Sequence, residues 1–127
     1  MSLLNLTAIF IGGGLGAWLR YGAGLFATRI FGSAIPGTFA VNSLGCLAIG
    51  AVCGLLHGKP LFLSHEQLRL FISVGRLGAL TTFSTFNLEV FSLLKSGRIF
   101  CGLGYMLLSC SVGLLCTCVG FLLTRSN

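Results

Sequence analysis

Carboxylates are nearly missing from this chain: its 127 residues hold two, Glu66 and Glu89, against eight lysines and arginines. That scarcity leaves no carboxylate pair on a shared face for catalysis. Proline is equally scarce, with Pro36 and Pro60 alone, so long helices meet few breaks. The six cysteines, Cys46, Cys53, Cys101, Cys110, Cys116 and Cys118, include no Cys-x-x-Cys pair and all lie in apolar runs. A free thiol there behaves as a small hydrophobe, and Cys116 and Cys118 point to different helix faces, so neither a disulfide nor a bound transition metal is expected. His57 and His65 share a polar connection and read as solvated loop residues. With no nucleophile beside a histidine and no cofactor signature, catalysis is not expected.

What the chain has in quantity is apolar surface: 55% of residues are hydrophobic and 8% charged, with a mean hydropathy of +1.00. Such values describe a membrane protein and not a soluble domain. Four stretches, residues 3–19, 38–56, 68–94 and 100–123, are each long enough to cross a hydrocarbon core of about 30 Å as a helix. Short connections rich in Gly, Pro and charge separate them. The prediction is an all-α membrane protein of four transmembrane helices, one domain over residues 1–127, multi-pass in the cell (inner) membrane. The amino end lacks a basic n-region and an obvious small-residue cleavage site, so it reads as a retained span and not a signal peptide.

The net charge of +6 is spread over connections and ends and forms no aromatic-basic platform, so no nucleic acid is expected and anionic lipid headgroups are the natural neighbours. Orientation in a bilayer normally follows an excess of Lys and Arg on the cytoplasmic side. Here Lys59, Arg69 and Arg125 oppose Arg29, Lys95 and Arg98, with Arg20 near a boundary on the second side. So even a balance drives neither direction, which predicts insertion both ways and an antiparallel, dual-topology dimer.

Nineteen glycines supply small-xxx-small faces, Gly12 with Gly16 and Gly50 with Gly54, with Gly113 and Gly120 in the last span. Close helix approach in lipid depends on such residues. The run GGGLG has no strand before it and reads as packing, not a nucleotide loop. Polar groups inside the spans are harder to dismiss, because a buried hydroxyl without a partner costs about 1–3 kcal/mol. Asn42 lies in the second span, Thr81, Thr82, Ser84, Thr85 and Asn87 crowd the third, and Tyr105 and Ser109 share a face of the fourth. Singly, each is explained as interhelical glue; as a set they read as a polar pathway. Most of these groups are hydrogen-bond donors, and Phe83 and Phe86, at i,i+3, add ring edges that carry the positive part of the aromatic quadrupole. A donor-rich, carboxylate-poor route points to a small anion. Glycine followed by a β-branched, hydroxyl-rich run also makes poor helix, so the third span is predicted to break near residues 78–82, where freed carbonyls can face a cation.

The stretch GRLGALTTFSTF, residues 75–86, closely resembles the signature of the Fluc or CrcB-type fluoride channels, roughly Gly-x-x-Gly-Gly-x-Thr-Thr-Phe-Ser-Thr. GGGLGAWLR before Tyr21, PGTFAVN ending at Asn42, and Glu89-Val90 match as well, so the resemblance spans essentially the whole chain. It implies an antiparallel homodimer with two fluoride pores and a structural sodium ion at the interface. Carried over by position, the pore phenylalanines fall on Phe83 and Phe86, the pore asparagine on Asn42, and the sodium-binding carbonyls on Gly78 and Thr81. Tyr105 and Ser109 fall on a fourth-span polar track, beside the hydroxyls of Thr82, Ser84 and Thr85. Arg20 matches a basic residue near the end of the first span and, with Arg76, is a candidate for a vestibule. The implied service is passive efflux: hydrogen fluoride enters as a neutral acid, ionises inside, and the channel releases the trapped anion. Two positions depart from the pattern, Ala79 in place of the second glycine and Arg76 where an apolar residue is usual.

Two other classes share some of these features. A small drug-proton antiporter has this length and span number but depends on a carboxylate in its first helix, and none stands between Met1 and Arg20. A non-transporting membrane assembly subunit would need the glycine faces but not the polar track.

Overall fold

The computed structural model describes residues 3–57 and 77–125, all-helical apart from short turns and one break. Its elements are α1 (Leu3–Phe31), α2 (Ile35–Leu56), the short α3 (Gly78–Leu80), α4 (Phe83–Lys95) and α5 (Ile99–Thr124). Three of them, α1, α2 and α5, are long and apolar enough to cross a membrane. This is a multi-pass membrane protein, and the large apolar side chains left exposed along α1 and α5 form the surface that lipid or other chains cover.

The first helix is longer than its sequence suggests. The expected span ends at residue 19, yet α1 continues for 29 residues, about 43 Å at 1.5 Å per residue. Nothing between Arg20 and Phe31 interrupts an i→i−4 ladder, and one arginine does not stop a helix. Termination waits for Gly32, at φ 69°, whose amide closes on Thr28 O at 2.9 Å. Arg20 and Arg29 therefore lie inside the helix, not in a connection, and Arg20 is half-buried. The bends at Gly32, Ser33 and Ala34 then reverse the chain, with Ser33 Oγ accepting the Ile35 amide at 3.2 Å and Pro36 in the first turn of α2.

The α4–α5 connection is as short. Gly97, at φ 78°, follows the last turn of α4, where the Arg98 amide reaches Leu93 O at 2.9 Å and the Gly97 amide reaches Leu94 O at 3.0 Å. This paired closure satisfies carbonyls that a helix end otherwise leaves open. The two tight turns bring Arg29, Lys95 and Arg98 to one end of the bundle and Arg125 to the other. Lys59, Arg69 and Arg76, like residues 68–76 of the expected third span, lie outside the described residues.

Helices α2 and α5 run parallel and make the most extensive contact, with α1 against α2 and α3, and α4 against α5. Glycine governs how close α2 and α5 come. A Cβ added at Gly50 would run into Thr117 O, one at Gly120 into Leu47 O, and one at Gly54 into Thr124 Oγ1 and Phe121 O. Thr124 Oγ1 then donates across the seam to Ala51 O at 2.8 Å. The pairs Cys46/Gly113 and Gly50/Thr117 advance together by one helical turn, and in the other direction the same register brings Asn42 level with Ser109 and Thr38 level with Tyr105. The small-residue faces expected at Gly50, Gly54, Gly113 and Gly120 thus meet one another; Gly12 and Gly16 are buried in α1.

Candidate functional site

The expected interruption of the third span falls at Thr81 and Thr82, both extended, at ψ 146° and 115°. Broken backbone at this depth strands polar groups that lipid cannot satisfy, so protein must do so. Asn42, reaching across from α2, takes much of that load: its Oδ1 accepts the Thr82 amide at 2.8 Å and its Nδ2 approaches Thr82 O at 3.4 Å. Thr82 caps α4, its Oγ1 accepting the Thr85 amide at 3.3 Å. The same hydroxyl donates to Thr85 Oγ1 and lies 3.2 Å from Ser84 Oγ. Thr81 Oγ1 donates back to Leu77 O at 2.9 Å, and its methyl fills the notch left by Gly45.

These bonds decide what the carbonyls at the break can do. In a continuous helix the Thr82 amide would serve Gly78 O and the Thr85 amide would serve Thr81 O. Both amides instead bond side-chain oxygens, those of Asn42 and Thr82. Among the described residues the two carbonyls are thereby relieved of their helical donors, and carbonyl oxygens so freed suit a small hard cation. Ala79 fits here without strain, since no described non-glycine residue has positive φ.

The break opens on a cleft of about 380 Å³ lined by Asn42, Gly78, Thr81, Thr82, Phe83, Phe86 and Ser109, among others. The two phenylalanines differ in setting despite their i,i+3 spacing: Phe86 is 6% exposed and Phe83 76%. Their ring centroids stand 6.0 Å apart, and Phe86 meets Tyr105 edge-on at 5.2 Å. The Ser109 hydroxyl is shut from solvent and lies beside the Tyr105 hydroxyl. Ser84 is exposed and Thr85 half-buried beside Thr82. Arg20 does not line the cleft, and Arg76 lies outside the described residues.

One polar centre was not picked out from the sequence. Glu89, the single carboxylate among the described residues, accepts from Thr38 Oγ1 at 2.6 Å and from Tyr105 Oη at 2.8 Å, tying α2, α4 and α5 together. Tyr105 is therefore committed to Glu89 and stands behind Phe86, not on the cleft wall. The signal was available: a lone carboxylate in an apolar run needs partners, and Thr38 with Tyr105 was the donor pair within reach. Cys46, Ser43 and Cys110, which also line the cleft, carried no such signal.

Fold and site together define a small multi-pass membrane protein whose helices close around a hydroxyl-rich break. The chain belongs to the CrcB family: residues 7–121 match the family described as CrcB-like protein, Camphor Resistance (CrcB). It is 48% identical over 122 residues to a protein of Chloroflexus aurantiacus (strain ATCC 29366 / DSM 635 / J-10-fl) named Fluoride-specific ion channel FluC, with 95% of each chain covered. Proteins of the same name from Hahella chejuensis (strain KCTC 2396), 42% identical over 130 residues and 98% of each chain, and from Methylobacterium sp. (strain 4-46), 38% identical over 126 residues and 97% and 98% of the chains, are similar along their whole length.

Proposed function

We propose that this protein is a fluoride-selective channel that lets fluoride leave the cell passively and so lowers its cytoplasmic level. The observation that carries the reading is near full-length similarity to proteins named fluoride-specific channels, joined to a cleft whose polar groups are mostly donors. Fluoride is small and strongly hydrated, so it enters a dry passage only where donors replace its water. Ser109, which lines the cleft, is one of them. The Asn42 amide has a second proton beyond the one near Thr82 O, and the hydroxyls of Thr82, Ser84 and Thr85 extend the row. Phe83 and Phe86 present ring edges beside them. Tyr105 acts from behind, holding Phe86 and Glu89 in place. Arg20 and Arg76 belong to a vestibule that gathers anions before they enter, and flux in an Arg76→Leu variant should then lose part of its dependence on ionic strength.

The functional unit in this reading is an antiparallel, dual-topology homodimer with two pores. Supporting it are the near-even split of basic residues between the two ends and the exposure of Phe83 in a single chain, which a second protomer would cover. The carbonyls of Gly78 and Thr81 would hold a structural sodium ion where the protomers meet, and that ion would fix the broken backbone. The seam at Gly50, Gly54 and Gly120 supplies rigidity.

A cell strain stripped of its own fluoride exporters tests the reading in vivo. Expression of this chain should restore growth in millimolar fluoride, and Ser109→Ala together with Phe83→Ala should not, at equal membrane abundance. Growth unchanged by the native chain would overturn the function. A one-sided reporter on the carboxyl end should give signal from both faces of the membrane; signal from one face alone would overturn dual topology.

A further inference from the structure

Two of the six cysteines lie in the wall of the cleft, one on each of its two long helices: Cys46 on α2 and Cys110 on α5. Cys53, Cys101, Cys116 and Cys118 do not line it. Cys46 occupies the space that Gly113 leaves open; a Cβ at Gly113 would come within 3.4 Å of its sulfur. One turn further on, Gly50 packs directly on the Thr117 backbone and the two helices close. One turn back, Asn42 and Ser109 line the same space. Cys46 therefore stands at the closed end of the donor row, and Cys110 adjoins Ser109 along its side. A group added to the Cys46 sulfur meets the facing helix at Gly113 and has the cleft to enter, and the exposed Cys110 lines that same cleft.

Resting on the channel reading above, we infer that Cys46 and Cys110 form a modification site through which small uncharged electrophiles shut the anion route. The reaction is addition, with no leaving group and no oxidant. With a maleimide, the sulfur lone pair bonds one alkene carbon, the π pair moves to the neighbouring carbon, and the proton given up by the thiol is restored there. The product is a thioether that carries an imide into the space between Asn42, Ser109 and Phe86. An uncharged reagent is required because the thiols lie within the apolar span, where a charged one would be excluded.

The test uses the full chain in vesicles loaded with potassium fluoride, with and without N-ethylmaleimide. Peptide mass spectrometry assigns the modified thiols, and each variant is compared with its own untreated release. Treated wild type should release fluoride at least about tenfold more slowly, as expected when a bulky group enters a narrow route. A variant lacking the four other cysteines should be inhibited equally. The Cys46→Ser/Cys110→Ser double variant should retain most of its own release although Cys53 and Cys118 are alkylated. Full inhibition of that double variant, or unchanged release from wild type with Cys46 and Cys110 alkylated, would overturn the inference. So would failure of these two thiols to react while Cys118 does. If the double variant does not fold, the variant lacking the four other cysteines decides alone, insensitivity counting against the site. Untreated wild type that releases no fluoride would overturn the channel reading itself, and the inhibitory claim with it.

Discussion

Asn42 accepts the backbone amide of Thr82 at 2.8 Å, a bond that joins α2 to the break between α3 and α4. It explains how irregular backbone persists at membrane depth. It also gives Asn42 two tasks, since the side chain that repairs the break lines the cleft as well. Replacing it with alanine strands the Thr82 amide, at about 1–3 kcal/mol. Asn42→Ala should therefore lower the unfolding temperature in detergent as well as fluoride release. Loss of release with an unchanged melting curve would show that the Thr82 bond contributes nothing to stability.

Phe83 and Phe86 should separate stability from permeation. Phe86 is packed among Val90, Leu93 and Tyr105, so Phe86→Ala leaves a cavity and should cost up to about 3–5 kcal/mol. Phe83 is largely exposed in one chain, and Phe83→Ala should leave the fold of the protomer intact while reducing fluoride release sharply. Thermal melts of both variants beside vesicle flux check this; equal destabilisation by the two would contradict it.

Glu89 should couple energetically to both of its donors. Tyr105→Phe removes one hydroxyl and should cost about 1 kcal/mol, whereas Glu89→Ala strands Thr38, itself only 6% exposed, together with Tyr105. A double-mutant cycle between positions 89 and 105, read from unfolding midpoints, should give a coupling of about 0.5–3 kcal/mol. Strict additivity would mean that the contact contributes no stability.

The α2–α5 seam should tolerate no side chain where the backbones touch. Gly50→Ala and Gly120→Ala would each press a methyl on backbone carbonyls, at about 1–3 kcal/mol for overpacking. Gly104→Ala, with open space around it, should be neutral. Melting temperatures of the three variants give the comparison, and a neutral Gly50→Ala would contradict the packing described.

Sodium should matter to assembly if the carbonyls of Gly78 and Thr81 hold it. Exchange of sodium for a large organic cation should lower the melting temperature and shift the protein from dimer to monomer on a sizing column, because a ligand bound to one state stabilises that state. Identical behaviour in both salts would remove the sodium ion from the proposal.

The sequence was most informative where a local rule settles the structure. A β-branched, hydroxyl-rich run after a glycine is poor helix, and the break expected near residues 78–82 lies at Thr81 and Thr82, with Gly78–Leu80 still helical. Small residues one turn apart predicted close helix contact, and Gly50, Gly54 and Gly120 lie against neighbouring backbone. What was not legible depends on pairing between distant segments. The register that sets Thr38 level with Tyr105 arises from packing over whole helices, so the bridge through Glu89 could not be read from any one of them. The excess length of α1 was missed because Arg20 looked like a boundary, whereas a helix ends where its backbone must turn, here at Gly32. The unequal exposure of Phe83 and Phe86 was hidden for a similar reason: spacing fixes a face, and the neighbouring helix decides which part of it is covered.

Fluoride release from reconstituted vesicles is the most direct test. Purified protein in liposomes loaded with potassium fluoride is diluted into fluoride-poor buffer, a potassium ionophore is added, and an electrode follows external fluoride beside a chloride-loaded control. Rapid fluoride release with chloride retained is the predicted result. Folded protein that releases neither anion, or both alike, would contradict a fluoride-selective channel.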